Sequence, residues 1–265
     1  MLLENRGRNL YYDVQGKGEK TLLFVHGWMG SSSVWREQVS YFSKNYRVVT
    51  FDLTGFGLSD KPDDIDYTPD VWFEDIDAII SHLNIDKPIL IGWSMGGAIG
   101  IGYTVTRPAV LSKLVLVSTT PMLVAPNEVF EYALPPEVGE QISSALQSDF
   151  SEGARSLVDK MFPEPESDSL KTFVHSITQQ TTASIAIDSV INAGSADLRP
   201  LLNQIKIPCL ILHGEADEVC AIGTAQYLFK TLPDAKIDTF KEKGHCPFLT
   251  DAQAFNEALA SFIWA

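Results

Sequence analysis

Apolar positions along the chain follow two different spacings, and these spacings divide it into predicted strands and helices. Short, wholly apolar runs predict strands buried on both faces, whereas apolar residues three or four positions apart predict helices with one buried side. The predicted strands cover residues 10–14, 21–25, 46–51, 88–91, 113–117, 209–213 and 236–240. The predicted helices begin at Ser33, at Thr68 with Pro69, and then cover 95–106, 223–232 and 251–262.

The order of these elements predicts an α/β fold. Strands that alternate with helices form a mostly parallel sheet with helices on both faces. The turn Gly16-Lys17-Gly18 between the first two strands predicts a hairpin. The alternation stops at Pro121, and residues 121–195 carry helical patterns and prolines without a clear strand. We therefore expect a core domain of residues 1–120 and 196–265, with residues 121–195 inserted as a helical lid.

The composition is that of a globular protein and narrows the possible partners. The chain has 265 residues, of which 45% are hydrophobic and 20% charged. Its formal charge is −14, from 34 acidic and 20 basic residues, and no basic block interrupts the acidic background. A negative field repels nucleic acid and anionic membranes, so neither is an expected partner.

The N-terminus and the cysteines predict a cytoplasmic location. Glu4 and Arg6 lie where a signal peptide needs its apolar run. No segment has the roughly 18 uninterrupted apolar residues that a membrane span requires. Cys209, Cys220 and Cys246 are odd in number and lack metal-site or redox spacing, so reduced thiols are expected.

One segment has the pattern of a serine nucleophile. Gly92-Trp93-Ser94-Met95-Gly96 lies between a predicted strand and a predicted helix, the context of a nucleophile elbow. In so tight a turn, side chains at Gly92 and Gly96 would collide with the backbone. The turn presents the Ser94 hydroxyl at the sheet edge and lets the Met95 N–H donate to an oxyanion. The alternative is a turn that only joins the two elements.

A serine nucleophile needs a positioned base, which a third group must orient. Among the five histidines, only His245 lies in a loop after the last predicted strand, so His245 is the candidate base. Asp217 follows the strand 209–213 at a distance that allows it to curl back over the sheet edge. Glu215 and Glu218 are expected to face solvent. The other histidines are His26, His82, His175 and His213.

A second oxyanion donor is expected from the loop after an early strand. Val25-His26-Gly27-Trp28 occupies that place, and the Trp28 N–H is the candidate donor. The Trp28 side chain has a plainer alternative role as a core aromatic.

These motifs resemble the α/β-hydrolase superfamily over nearly the whole chain. The resemblance implies the α/β-hydrolase fold, a Ser94–Asp217–His245 triad in the superfamily's chain order, and no cofactor. It rests on His26-Gly27-Trp28, Asp52-Leu53-Thr54-Gly55-Phe56-Gly57-Leu58-Ser59, Gly92-Trp93-Ser94-Met95-Gly96-Gly97, Gly214-Glu215-Ala216-Asp217 and Gly244-His245.

Within the superfamily, the chain is similar to the carboxylesterases that demethylate pimeloyl-acyl-carrier-protein methyl ester in biotin synthesis. By that similarity Trp28, Met95 and Phe150 would line an acyl pocket. The motifs concerned are His26-Gly27-Trp28, Gly92-Trp93-Ser94, Ser148-Asp149-Phe150 and Asp197-Leu198-Arg199-Pro200-Leu201.

The charge of the predicted lid departs from that family, in which basic lid residues meet the acidic carrier protein. Residues 121–195 contain only Arg155, Lys160 and Lys171 as basic residues. Like charges across an interface weaken binding. A small ester is therefore the expected substrate, with the carrier protein as a disfavoured partner. The acidic residues are Glu128, Glu131, Glu137, Glu140, Asp149, Glu152, Asp159, Glu164, Glu166, Asp168 and Asp188.

Several functions other than ester hydrolysis are compatible with the same triad. Lactonases, carbon–carbon bond hydrolases and cofactor-free perhydrolases would retain it. A ligand receptor that works by lid movement would retain it too, but would turn over simple esters slowly. A serine at position 94 argues against dehalogenases and epoxide hydrolases, which use aspartate there. The chain has neither a dinucleotide-binding glycine motif nor a metal-binding histidine motif, so no cofactor or metal is expected.

Overall fold

The computed structural model describes residues 1–125 and 130–264, and the strands found there form one eight-stranded sheet. The order across the sheet is β1-β2-β4-β3-β5-β6-β7-β8. All neighbours from β4 onward are parallel, whereas β1 with β2 and β2 with β4 are antiparallel. The predicted mostly parallel sheet is confirmed. The strands are β1 (Leu2–Asn5), β2 (Arg8–Gln15), β3 (Thr21–Val25), β4 (Arg47–Phe51), β5 (Ile89–Trp93), β6 (Lys113–Val117), β7 (Cys209–Gly214) and β8 (Ala235–Phe240).

The hairpin predicted between residues 10–14 and 21–25 is wrong. β3 pairs with β4 and β5, so β4 lies between β2 and β3. Every residue of β3 is buried, and a strand that is apolar on both faces is stabilised most in the centre of a parallel sheet. The actual hairpin joins β1 to β2 through Arg6 and Gly7, which both have positive φ, of 53° and 80°.

Helices cover both faces of the sheet, as the alternation predicts. The α-helices in the described residues are α1 (Arg36–Phe42), α2 (Pro69–His82), α3 (Met95–Thr106), α4 (Pro136–Ser148), α5 (Phe150–Met161), α6 (Asp168–Thr178), α7 (Ala183–Gly194), α8 (Ile222–Thr231), α9 (Pro247–Thr250) and α10 (Ala252–Trp264). Within that part of the chain, no helix is both long and apolar enough to cross a membrane.

Two apolar cores lie on opposite faces of the sheet. Leu23 and Leu90 belong to the core under α2, α3 and α8, whereas Phe24 and Ile91 belong to the core under α1 and α10. Neighbouring residues of one strand thus enter different cores, because successive side chains point to opposite faces. One helix start differs from the prediction: Ser33 lies inside a 3₁₀ turn, Ser32–Trp35, that precedes α1.

Four helices, α4 to α7, lie between β6 and β7 in the chain and contain most of the predicted insertion. They pack in sequence, α4 on α5 and α5 on α6, while α4 also contacts α7. The start of α5 has a simple cause, since the Asp149 carboxylate accepts a hydrogen bond from the Glu152 N–H at 3.0 Å. Of the residues considered above, Glu128 lies outside the described residues.

Candidate active site

Ser94 lies in a strained turn between β5 and α3. Its φ of 53° and ψ of −117° are unusual for a residue with a side chain, and its N–H donates to the Val117 carbonyl at 2.8 Å. A Cβ at Gly92 would lie 2.4 Å from the Gly96 carbonyl oxygen, and one at Gly96 would lie 2.5 Å from the His26 carbonyl oxygen. Only glycine fits at both positions. The two glycines therefore permit the tight turn that presents the Ser94 side chain at the sheet edge.

Asp217 and His245 are joined by a hydrogen bond in the interior. His245 Nδ1 lies 2.8 Å from Asp217 Oδ2, while Asp217 Oδ1 accepts from the N–H groups of Val219 at 2.8 Å and Cys220 at 2.9 Å. Burial alone would raise the pKa of Asp217. The charge of His245, its hydrogen bond and the nearby Nε2 of His213 outweigh burial and hold that pKa well below its usual range. The carboxylate is therefore charged and holds the imidazole.

The loop that carries His245 is held by the end of α5 and the residues after it. The His245 N–H donates to the Met161 carbonyl at 2.9 Å, and the Gly244 N–H donates to Glu164 Oε1 at 2.7 Å. The Trp93 indole N–H donates to the His245 carbonyl at 3.0 Å. The sequence did not predict these contacts. Met161 makes this contact through its backbone carbonyl, which every residue type has, so the sequence does not indicate it.

His26 supports the loop that carries Trp28. Its Nδ1 lies 2.8 Å from the Gly27 carbonyl, and its Nε2 lies 3.0 Å from the Leu53 N–H. These partners require Nδ1 to donate and Nε2 to accept, which is the neutral imidazole. Burial lowers the pKa of His26, against the opposing charge of Asp52. His26 is thus fixed as a neutral link between the ends of β3 and β4.

The other candidates from the sequence lie apart from Ser94. His82 contacts the Tyr12 hydroxyl at 3.0 Å, and His175 Nε2 lies 2.9 Å from the Ser151 carbonyl. Glu215 and Glu218 are exposed. Asp217 is therefore the acid of its loop that reaches the imidazole of His245.

Two backbone N–H groups beside Ser94 are free to bind an anion. Among the described residues, neither the Trp28 N–H nor the Met95 N–H donates a hydrogen bond. Met95 is the first residue of α3, so its N–H lies at the positive end of the helix dipole. The Trp28 side chain is half-buried, and its indole donates to the Ala186 carbonyl at 3.0 Å and to Ser189 Oγ at 3.1 Å, both in α7.

Ser94, His245, Trp28 and Met95 all line one cavity of about 130 Å³. None of the described residues that line it is Asp, Glu, Lys or Arg, so its wall carries no fixed charge. Phe150 is not among the lining residues; it begins α5 and packs against the core beneath α2 and α3. The apolar part of the wall includes Phe73, Ile99, Met122, Ile142, Leu157, Met161 and Leu198.

The sequence of residues 20–252 matches the family described as alpha/beta hydrolase fold. The chain belongs to the α/β hydrolase fold family. The strained serine turn after a central parallel strand, and the histidine–aspartate pair after the last two strands, have the arrangement expected of an α/β hydrolase.

Near-full-length relatives of this α/β hydrolase have different described functions. The chain is 30% identical over 262 residues to the pimeloyl-[acyl-carrier protein] methyl ester esterase of Vibrio atlanticus, covering 96% of this chain and 97% of that protein. It is 28% identical over 245 residues to karrikin insensitive 2 receptor IA of Petunia hybrida, covering 89% and 88%. The solved structure of an esterase from Exiguobacterium antarcticum superposes with a TM-score of 0.94 at 24% identity, covering 100% and 99%, which supports the fold alone.

The close packing of the turn predicts a large difference between two glycine substitutions in α3. Gly96→Ala should lower the free energy of unfolding by about 3 kcal/mol, because the new Cβ would collide with backbone oxygens. Gly100→Ala is the matched control, since its Cβ would meet only the side-chain ends of Leu114 and Leu90, at 2.9 and 3.0 Å. The free energy of unfolding of Gly100→Ala should stay within about 1 kcal/mol of that of the wild type. Urea denaturation measures both. Equal stability of the two variants would contradict the steric account.

Proposed function

We propose that this α/β hydrolase cleaves small carboxylic esters through an acyl-enzyme, with Ser94 as nucleophile, His245 as general base and Asp217 as the carboxylate that orients the base. The observation that carries this proposal is the buried 2.8 Å contact between His245 Nδ1 and Asp217 Oδ2, with His245 and Ser94 lining the same cavity. An oriented imidazole and a hydroxyl presented to the same cavity support the activation of Ser94 by His245.

The first half of the reaction forms the acyl-enzyme. Because Nδ1–H donates to Asp217, Nε2 of His245 is the basic nitrogen and takes the Ser94 proton as Oγ attacks the ester carbonyl. The carbonyl oxygen becomes an oxyanion, which the Trp28 and Met95 N–H groups bind. Each such donor contributes about 3 kcal/mol of transition-state stabilisation.

The second half releases both products. His245 gives its proton to the leaving alcohol as the bond between the acyl carbon and the alcohol oxygen breaks. It then takes a proton from water, which attacks the acyl carbon. Collapse of this second tetrahedral species returns the proton to Ser94 and frees the acid. Asp217 stays charged throughout because its pKa is held low, so it stabilises the imidazolium formed in each half.

Residues 121–195 act as a lid over this chemistry. α5 contributes Leu157 and Met161 to the cavity wall, and α7 contributes Ser189 and Val190. The indole of Trp28 bonds to α7 while the backbone of Trp28 belongs to the oxyanion loop. The lid therefore excludes water and contacts the oxyanion loop directly.

The cavity wall selects an uncharged, apolar acyl group. Each buried methylene contributes about 0.8 kcal/mol until the cavity is filled. A free carboxylate at the end of the acyl chain would be buried without a partner, at a cost of several kcal/mol. Lactones and other neutral acyl compounds are also uncharged and fit the same cavity wall, so they are secondary substrates of the same site.

A carrier-bound methyl ester is the second candidate substrate, favoured by the similarity to the Vibrio atlanticus esterase. The methyl ester of a carrier-bound pimeloyl group has no free carboxylate, which suits an uncharged cavity. The surface of the lid opposes it, since only Arg155 and Lys160 are exposed basic residues among the described part of 121–195. The exposed acidic residues there are Glu131, Glu137, Glu140, Asp149, Glu152, Asp159, Glu166 and Asp168.

The similarity to the Petunia hybrida receptor favours a different class of function, that of a ligand receptor. Turnover separates the two classes. An esterase releases many products per site on simple esters, whereas a receptor acylates slowly and once.

Replacing Asp217 by Asn tests the proposed triad. The amide no longer favours the imidazole tautomer with hydrogen on Nδ1, so kcat for p-nitrophenyl butyrate should fall by about 10⁴-fold. Ser94→Ala should remove turnover while circular dichroism shows an unchanged fold. Glu218→Gln is the matched control in the same loop, because Glu218 is exposed, and should keep near-wild-type activity. If Glu218→Gln lost activity while Asp217→Asn kept it, the triad would be wrongly assigned.

Three methyl esters of pimelate test the proposed substrate class. Dimethyl pimelate should exceed monomethyl pimelate in kcat/KM by about a hundredfold or more, because only the monoester brings a carboxylate into the cavity. The comparison is made at high salt to screen the charge of the protein. The third ester is the monomethyl ester joined by a thioester to the carrier protein.

For the carrier-bound ester, kcat/KM should rise as salt is added, because screening reduces repulsion from the acidic lid. High efficiency at low salt that declines with added salt would establish a favourable carrier interface. That result would make the carrier-bound ester the preferred substrate.

A further inference from the structure

We infer that His213 is a positioning residue for the reaction, a second histidine that holds the carboxylate of Asp217 in the orientation His245 requires. His213 is the penultimate residue of β7, four positions before Asp217. Its side chain is completely buried. This role rests on the proposed function, because it acts through Asp217 on the base.

The contacts of His213 identify it as a hydrogen-bond donor. Its Nε2 lies 2.7 Å from the Cys220 carbonyl oxygen and 3.3 Å from Asp217 Oδ2. A carbonyl oxygen only accepts hydrogen bonds, so Nε2 must carry the hydrogen. The same N–H lies close to the Asp217 carboxylate and stabilises its charge.

The other ring nitrogen shows that His213 is neutral. Nδ1 is buried, and no described residue offers it a hydrogen-bond partner. A hydrogen on Nδ1 would place a cationic ring with an unpaired donor in the interior, which is costly. His213 is therefore a fixed donor through Nε2, whereas His245 must cycle between its neutral and protonated forms.

His213 completes the set of N–H groups around Asp217. Oδ1 accepts from the N–H groups of Val219 and Cys220, Oδ2 accepts from His245, and Nε2 of His213 lies 3.3 Å from Oδ2. The Cys220 carbonyl accepts from His213, so His213 ties the far end of the loop that carries Asp217 to β7. Without His213, the loop would lose this tie and Oδ2 would lose a neighbouring N–H, so more of the carboxylate charge would act on His245.

The other titratable groups near this pair are two buried thiols and the Glu164 carboxylate. Burial raises the pKa of the Cys220 and Cys246 thiols well above the usual range, so both stay neutral. The Glu164 carboxylate lies on the other side of the His245 loop, where it accepts from the Gly244 N–H. His213 is thus the neighbour whose removal alters Asp217 directly.

The test compares His213→Leu with His213→Gln, since a Gln amide can place an N–H close to the position of Nε2. In His213→Leu, kcat for p-nitrophenyl butyrate should fall about ten- to a hundredfold with KM nearly unchanged. The ascending limb of the pH profile should move up by about one pH unit, because greater charge on Asp217 stabilises protonated His245. His213→Gln should restore the position of the limb and most of kcat.

Leu212→Ala is the control for destabilisation, because Leu212 is the buried neighbour of His213 in β7 and its side chain packs in a core on the opposite face of the sheet. It should lower the melting temperature without moving the pH limb. The inference would be overturned if His213→Leu kept the wild-type kcat and pH limb. It would also be overturned if His213→Gln were as defective as His213→Leu, or if Leu212→Ala shifted the pH limb by the same amount.

NMR of the unaltered protein with ¹⁵N-labelled histidine tests the same inference independently of how the variants fold. At about pH 8, His213 should carry its hydrogen on Nε2 and none on Nδ1, as its hydrogen bond to the Cys220 carbonyl requires. A hydrogen on Nδ1 of His213 would overturn the inference. An unaltered protein that fails to turn over esters would instead refute the proposed function.

Discussion

The rest of the site depends on one buried charge, the carboxylate of Asp217. A charged carboxylate in the interior is stable only when donors satisfy it; this one accepts three hydrogen bonds, and Nε2 of His213 lies 3.3 Å away. That requirement explains why the loop after β7 curls back over the sheet edge instead of extending into solvent. It also fixes the ring of His245, because the carboxylate accepts from Nδ1 and leaves Nε2 towards the cavity.

The parallel sheet brings these groups together, since the carboxyl ends of its strands lie along one edge. Ser94 follows β5, Asp217 follows β7 and His245 follows β8. The inserted helices then contact the assembled site at two points. Met161 and Glu164 bind the His245 loop, and α7 binds the indole of Trp28. A movement of these helices would therefore be transmitted to both the loop of His245 and the loop of Trp28.

The features that the sequence predicted well are those with local causes. The turn at Ser94 follows from two glycines and a buried strand within a few residues, and its glycines prove to be required by backbone atoms 2.4 and 2.5 Å away. The pairing of β3 could not be obtained in this way. A glycine turn suggested a hairpin, whereas burial of both faces of β3 placed it between β4 and β5.

Features that depend on packing between distant elements could not be predicted from the sequence. The expectation that Phe150 lines the pocket came from resemblance, but the direction of that side chain depends on how α5 packs. Met161 holds His245 through a carbonyl oxygen, which every residue type possesses. His213 carried a signal in its spacing from Asp217, but the fold of the intervening loop was needed to interpret it.

The most direct test of the central claim is covalent labelling by a fluorophosphonate, which reacts with a serine only when a base activates it. The account predicts one adduct per chain in the intact mass, located on Ser94 by peptide mapping, and loss of labelling in His245→Ala. An unlabelled protein, or an adduct on another residue while ester hydrolysis continues, would contradict the claim that Ser94 is the activated nucleophile.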